Sequence, residues 1–261
     1  MKRVLTALVL FPLIVGVVGW SPQVVVLAVT ALVALLCFYE YCGIAAVYHG
    51  CRDRWMPEWL SYAAGLSILG VPYNHHALLA VVAAALIVLT LALRADDLRA
   101  GIAQAAFLLF GIVYVFGCWR FAPLLAAINR SWLLYALVLN WIGDIGAYYV
   151  GRSLGRHKLA PIVSPGKSWE GSAASLAASL VFGFFFLHWA IPATPAWMAL
   201  ALTAVANVAG QFGDLCESAL KRGAGVKDSS NLLPGHGGWL DRVDSTLFTL
   251  PVVYVAVRLT L

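Results

Sequence analysis

The sequence predicts an all-α protein, a polytopic transmembrane helical bundle of about nine spans, and three observations carry that prediction. Of the 261 residues, 62% are hydrophobic and only 11% are charged, with a mean hydropathy of +0.87. Soluble domains run near 45–50% apolar and about 25% charged, so an ordinary soluble globule is excluded, and so few charges exclude a disordered chain as well. The apolar residues come in unbroken runs, as over residues 77–93, whereas a transmembrane β-barrel would alternate apolar with polar positions. Each span needs about 20 such residues, so nine spans use roughly 180 residues and leave short connections.

Taken in order, the spans fall at about 4–20, 23–48, 59–72, 76–94, 100–127, 132–150, 171–191, 195–217 and 245–261. Lys2 and Arg3 ahead of the first run would also suit a cleaved signal peptide, but the second run follows at once and the two form a natural hairpin. The third is short and interrupted by Gly65 and Gly70, while the fourth is almost wholly aliphatic. The fifth closes the N-terminal group, residues 1–130, made of two hairpins and one span. Residues 131–261 form the C-terminal group, the expected catalytic domain on the residues taken up below, in which the sixth span carries Asp144 and the eighth ends on Asp214 and Glu217.

Nine spans with the N-terminus inside put 14 of the 17 lysines and arginines in inside loops, leaving only Arg120, Arg130 and Arg258 outside. Basic residues collect on the cytoplasmic side of membrane proteins, so this bias sets the N-terminus inside and the C-terminus outside. It also accounts for the net charge of +5 without any nucleic-acid partner. The five cysteines, at 37, 42, 51, 118 and 216, are odd in number and form no Cys-x-x-Cys pair, which supports neither a disulfide framework nor a zinc site. The longest loops, 151–170 and 218–244, are both inside and rich in Gly, Ser, Pro and charge, so the chemistry belongs at the cytoplasmic face.

Ionisable groups within spans are costly and usually functional. Asn207, Gln211, Asp214, Ser218 and Lys221 share one helical face. Asn207 and Gln211 read as interhelical hydrogen-bonding groups, and Asp214 as a functional carboxylate near the acyl region that needs a cation. Beyond them, residues 218–245 hold Lys221, Arg222 and Lys227 for phosphate charge, several glycines for a tightly turning backbone, and Asp241 and Asp244 one turn apart. Carboxylates beside phosphate-binding cations suit a magnesium–nucleotide site, because Mg²⁺ takes one or two carboxylates plus phosphate oxygens.

This stretch resembles the signature of the phosphatidate cytidylyltransferases, also called CDP-diacylglycerol synthases. The family pattern is filled by Ser218, Lys221-Arg222, Lys227-Asp228, Pro234 with His236-Gly237-Gly238, and Asp241-Arg242 with Asp244. Trp239 departs from it, standing where an aliphatic residue is usual. A second block matches at Asp144, Gly151-Arg152, Gly155, Lys158-Leu159, Pro161, Ser164-Pro165, Lys167-Ser168 and Glu170-Gly171. Two separate blocks with these spacings are far more specific than one Gly-rich loop. Before residue 130 the agreement is in hydropathy alone.

The resemblance implies a multi-pass enzyme of a bacterial inner membrane that joins CTP and phosphatidic acid into CDP-diacylglycerol and pyrophosphate, and it implies a homodimer. On that footing Asp214, Asp241 and Asp144 are the candidate Mg²⁺ ligands, with a second cation such as K⁺ left open and Asp244 as a supporting carboxylate. Lys221, Arg222 and Lys227 would hold the triphosphate, and Arg152, Lys167 and Ser168 a phosphate from the other loop. Ser218 and Arg242 join the substrate-binding set. His236, between glycines, is open to a phosphate contact or a loop-shaping hydrogen bond. Glu40, near the inner end of the second span, is a candidate for the lipid-substrate groove. Two rivals stand beside this reading: a CTP-dependent enzyme with another lipid acceptor such as a polyprenol, and an ion-coupled transporter. The transporter is disfavoured because the polar residues cluster at one face and not at the midplane.

Overall fold

The computed structural model describes residues 12–49, 58–70, 76–233, 235 and 237–260. The start of the first predicted span, Cys51, His75 and the basic residues Lys2, Arg3, Arg52 and Arg54 lie outside the described residues. Helix α1 covers 12–20, followed by α2 (Gln23–His49), α3 (Glu58–Gly70), α4 (His76–Ala92) and α5 (Leu98–Gly111). A π-helical stretch, Ile112–Gly117, leads from α5 towards α6 (Phe121–Ile128). Helices α7 (Arg130–Leu154), α8 (Trp169–Ala190), α9 (Ala196–Gly223) and α10 (Leu240–Thr260) complete the bundle.

The all-helical membrane architecture expected from composition is present. Among the described residues six helices are long and apolar enough to cross a membrane: Gln23–Tyr48, Leu98–Ile128, Arg130–Leu154, Trp169–Ala190, Ala196–Gly223 and Leu240–Thr260. The third and fourth predicted spans correspond to two shorter apolar helices, Trp59–Gly70 and Leu78–Ala92. Large apolar side chains such as Leu86, Val181, Phe185 and Val255 face outward. An exposed apolar surface of that kind suits lipid, where all backbone polar groups must be paired within the helices.

Helix α7 packs on α8, α8 on α9, and α9 on α10, with α2, α6 and α7 also against α10. One hydrophobic core runs through both halves of the chain, from Phe38, Tyr41 and Phe116 to Leu247 and Leu250. Between the helices the buried polar side chains pair with one another. Asn207 Nδ2 donates to Ser175 Oγ at 3.0 Å and Ser179 Oγ at 2.9 Å, and Gln211 Nε2 donates to Asn207 Oδ1 at 2.7 Å. The bonds of Asn207 to Ser175 and Ser179 on α8 are interhelical, as expected of it, and Gln211 makes its own interhelical bond by donating through Nε2 to Ser172 O at 3.3 Å.

The helices facing the two long loops run further than the apolar pattern alone predicts. Helix α7 continues to Leu154, α9 to Gly223, and α10 begins at Leu240. The ends of α9 and α10 stay helical around the buried Lys221–Asp241 pair, while the exposed end of α7 is held by Arg152 on Tyr148 and Ser153 on Tyr149 O, so hydropathy undershoots the boundaries. The connection between α7 and α8 holds a small antiparallel hairpin, β1 (Lys158–Ala160) with β2 (Ser164–Ser168), in which Lys158 pairs with Ser168 and Ala160 with Ser164. It is the departure from an all-α chain. Nothing in Ser164-Pro-Gly-Lys-Ser168 shows the period-two alternation that marks a strand.

Candidate active site

The hairpin and the α9–α10 loop lie at the same end of the bundle. Arg222 Nε, at the end of α9, donates to Val163 O in the β1–β2 turn at 3.3 Å, and Lys167 on β2 forms an ion pair with Asp214 on α9. Arg130 lies at the other end, where its Nη1 donates to Val18 O at 3.2 Å. The two predicted loops therefore converge on one site, built by α7, α8, α9, α10 and the hairpin.

At its centre is a cavity of about 520 Å³, a size suited to a small-molecule ligand. Asp144, Arg152, Lys167, Ser168 and Asp214, all singled out from the sequence, line it, and Asn140 and Gln211 add a polar floor. Arg152 Nη1 donates to Tyr148 Oη at 2.7 Å, and its guanidinium carbon lies 5.9 Å from the Tyr148 ring centroid. Tyr148 thus steers a cation that the sequence identified without naming what would orient it. Ser168 is buried as the N-cap of α8, where its Oγ accepts from Gly171 N at 3.1 Å. That bond leaves the hydroxyl proton available to the cavity.

Carboxylates from three helices act on one another beside this cavity. Asp144 lies in the field of Asp214, Lys167 and Arg242, and Asp244 in that of Asp214, Asp144 and Lys221. Ser218 Oγ donates to Asp214 Oδ1 at 3.4 Å, and Asp244 Oδ1 accepts from Ser245 N at 2.7 Å. Among the described residues no three His, Cys, Asp or Glu side chains gather closely enough to enclose a metal by themselves. A magnesium site does not require that, since one or two carboxylates suffice when phosphate and water supply the other oxygens. Asp144 and Asp214 fit such a role: they converge on an open cavity with Lys167 the ion-pair partner of one of them.

A second cluster stands next to the first. Lys221 is 8% exposed and forms ion pairs with both Glu217 and Asp241. Asp241 also accepts from Ser229 N at 3.0 Å and Gly238 N at 2.7 Å through Oδ2, and the Ser229 hydroxyl lies 3.0 Å from the same oxygen. Gly237 has φ +78°, a left-handed turn, and a Cβ there would meet Asp241 Oδ2. Asp241, predicted to meet magnesium, thus holds the 224–239 loop, and Lys221, predicted to meet the triphosphate, is paired with that carboxylate. Arg222 joins the two loops, donating to Val226 O at 3.1 Å as well as to Val163 O. Arg242 is exposed, with its charge acting on Asp144, and Lys227 is exposed in the α9–α10 loop. His236 lies outside the described residues.

The sequence reading gave no role to Glu217 and turned Glu40 toward a lipid groove. Glu217 is fully buried beside Lys221, and Glu40, 2% exposed, is enclosed by the α9–α10 loop. A lone carboxylate in an apolar span was the available signal for Glu40, but nothing in the sequence says which loop it meets.

Fold and site together define a polytopic helical membrane protein with a polar, ion-paired cavity at one end of its bundle. The chain belongs to the cytidylyltransferase family, whose family model matches residues 1–260. It is similar to a phosphatidate cytidylyltransferase of Bacillus subtilis (strain 168), with 41% identity over 159 residues, 60% of this chain and 59% of that protein. It is also similar to phosphatidate cytidylyltransferases of Staphylococcus haemolyticus (strain JCSC1435) and Staphylococcus aureus (strain COL). Each is 40% identical over 152 residues, 58% of both chains. The chain covers less than two thirds of the length of these relatives.

Proposed function

We propose that this chain is an integral-membrane nucleotidyltransferase that converts CTP and phosphatidic acid to CDP-diacylglycerol and pyrophosphate. The observation that carries the reading is the cavity in which Asp144 and Asp214 face Lys167 and Arg152 at one end of an apolar bundle. Carboxylates and cations are held there together, as a metal-bound nucleotide and an anionic lipid headgroup require.

In the reaction a phosphatidate oxygen forms a bond to the α-phosphorus of CTP while the α–β anhydride bond breaks, its electron pair leaving on pyrophosphate. The nucleophile is already anionic near neutral pH, so the obstacle is bringing two anions together in line, and positioning and charge supply the acceleration. Mg²⁺, when bound, neutralises phosphate charge, and Asp144 and Asp214 would hold it with Asp244 in support. Lys167 and Arg152 draw the phosphates into the cavity, with the Ser168 hydroxyl as a neutral donor. Arg222 holds the hairpin against the α9–α10 loop, and Lys227 and Arg242 add positive charge at the rim. Lys221 and Asp241 fix the loop from beneath, which sets Asp244 one turn further along α10. A second cation such as K⁺ and a contact from His236 extend the same reading.

The reading carries nine spans in a bacterial inner membrane, with the N-terminus and the site at the cytoplasmic face. Residues 131–261 supply the cavity, residues 1–130 support it, and the chain works as a homodimer. The short apolar helices and α1, added to the six longer helices, support the count, and the 14-to-3 division of basic residues supports the orientation. Single cysteines introduced at Ser164 and Ser230 are expected to resist an impermeant thiol reagent in intact cells and to react after lysis. Labelling of either from outside overturns the orientation.

The function is tested with the purified full chain in detergent, Mg²⁺, labelled CTP and phosphatidic acid. A CTP-dependent lipid product carrying cytidylate is expected. Phosphate transfer to a polyprenol, with no cytidylate on phosphatidic acid, would replace this reading with the rival enzyme.

A further inference from the structure

The loop between α9 and α10 is fastened at both feet by a helix that neither sequence block includes. At the foot on α10, Glu40 accepts from Trp239 N at 2.9 Å and Leu240 N at 2.7 Å, the backbone donors that open the helix. The same carboxylate accepts from the Ser230 hydroxyl at 2.6 Å. At the foot on α9, the Tyr48 hydroxyl donates to Leu220 O at 2.6 Å, a carbonyl in the last turn of that helix. Helix starts leave free N–H groups, so an acceptor at the α10 foot is the matching chemistry, while at the α9 foot the hydroxyl takes the second lone pair of a carbonyl that also accepts from Ala224 N at 3.2 Å. Glu40, Ile44 and Tyr48 follow at i, i+4 and i+8, one stripe of α2, and the rise of the helix puts the outer two about 12 Å apart.

Two glycines record how closely this stripe approaches. A Cβ at Gly223 would overlap the Tyr48 hydroxyl, and one at Gly238 would overlap Ser229 Oγ and Glu40 Oε2. The clasp also reaches the site through one hydroxyl. Ser229 Oγ lies 2.9 Å from Glu40 Oε2 and 3.0 Å from Asp241 Oδ2, and its single proton bridges one of the two carboxylates at a time.

We infer that the Glu40–Tyr48 stripe of α2 is a positioning clasp that sets the α9–α10 loop, and through Ser229 and Asp241 the start of α10, in its working geometry. Neither residue reaches the cavity; both act through the loop. The inference deepens the proposed reaction by naming what holds one wall of that site.

The test measures backbone amide exchange and steady-state kinetics on the full chain in detergent, comparing the wild type with Glu40→Ala, Glu40→Gln and Tyr48→Phe. Charge-assisted bonds to backbone N–H are strong enough that Glu40→Ala should speed exchange at residues 238–240 by about tenfold or more. The interiors of α9 and α10 should keep their protection. Tyr48→Phe should loosen the loop at its α9 end and leave residues 238–240 less affected. Glu40→Gln keeps an acceptor oxygen and should recover part of both the protection and the rate. With CTP and phosphatidic acid varied separately, the clasp variants should lower kcat at a temperature where exchange shows both helices folded. Unchanged exchange at 238–240, or a uniform rise across α9 and α10, overturns the clasp. So does a full wild-type kcat in a variant whose loop exchange has risen. If the wild type forms no CDP-diacylglycerol, the proposed reaction fails, and the exchange pattern alone decides the clasp.

Discussion

Asp214→Asn is expected to lower the turnover of CDP-diacylglycerol formation by about a thousandfold at saturating CTP, at the upper end of what one preorganised electrostatic group contributes. The substitution is nearly isosteric and keeps an oxygen to accept from Ser218, which stands 3.4 Å from Oδ1. Helix packing therefore has no reason to change. What disappears is one negative charge in the cavity wall, the charge that pairs with Lys167 and acts on Asp144 and Asp244. Near an apolar interior that charge is screened far less than in water. Lys167, once released, adds net positive charge to the cavity, so ground-state attraction of the triphosphate is not weakened. The loss should therefore appear in kcat, with the KM for CTP unchanged or lower. Kinetics over a Mg²⁺ titration, with the thermal midpoint followed alongside, check this. A wild-type kcat at limiting Mg²⁺ would remove Asp214 from metal handling.

Why was that carboxylate legible from sequence while its neighbours were less so? Asp144 and Asp214 announce themselves because a charge within an apolar run is expensive, and the structure brings both to one cavity with Lys167, Arg152 and Ser168. The helices were legible for the same reason, since lipid demands long apolar runs whatever the tertiary contacts. Helix ends were not, because Lys221 of α9 and Asp241 of α10 pair where the apolar runs have stopped and Arg152 of α7 bonds to Tyr148 within its own helix, and hydropathy cannot register a partner. The hairpin around Ser164–Ser168 is fixed by its ladder, by Lys167 reaching out from it to Asp214 and by Arg222 reaching in to Val163 O, the last two being contacts that are long in sequence.

Partner choice is the information a single sequence carries least. Lys221, Arg222 and Lys227 are equally basic, and their spacing suggests one shared ligand. The structure separates them: Lys221 is enclosed by carboxylates, Arg222 spans two loops through backbone carbonyls, and Lys227 remains exposed. Glu40 shows the same limit, with roughly 190–200 residues between it and the donors it binds. Long-range pairing of that kind depends on how the helices pack, which periodicity does not encode.

Lys221→Met is expected to destabilise the folded protein by about 3–5 kcal/mol, the cost of leaving a buried charge without its partner. Glu217, with no exposed surface, has no hydrogen-bond partner for either oxygen among the described residues, so its ion pair with Lys221 is its compensation. Asp241 is better protected, because Ser229 and Gly238 still donate to it when the ammonium is gone. Glu217 should therefore account for most of the loss, and the double variant Lys221→Met with Glu217→Gln should recover much of it by removing the stranded charge. A Lys221 that gripped the triphosphate would behave differently: its loss would raise the KM for CTP and leave the thermal midpoint where it was. Denaturation of the single and double variants in detergent, beside CTP kinetics below the lowest midpoint, separates the two roles. A single variant as stable as the wild type, with CTP affinity alone reduced, would return Lys221 to the nucleotide. A low midpoint restored by Glu217→Gln would establish it as the buried counter-ion of Glu217 within α9, beneath the site.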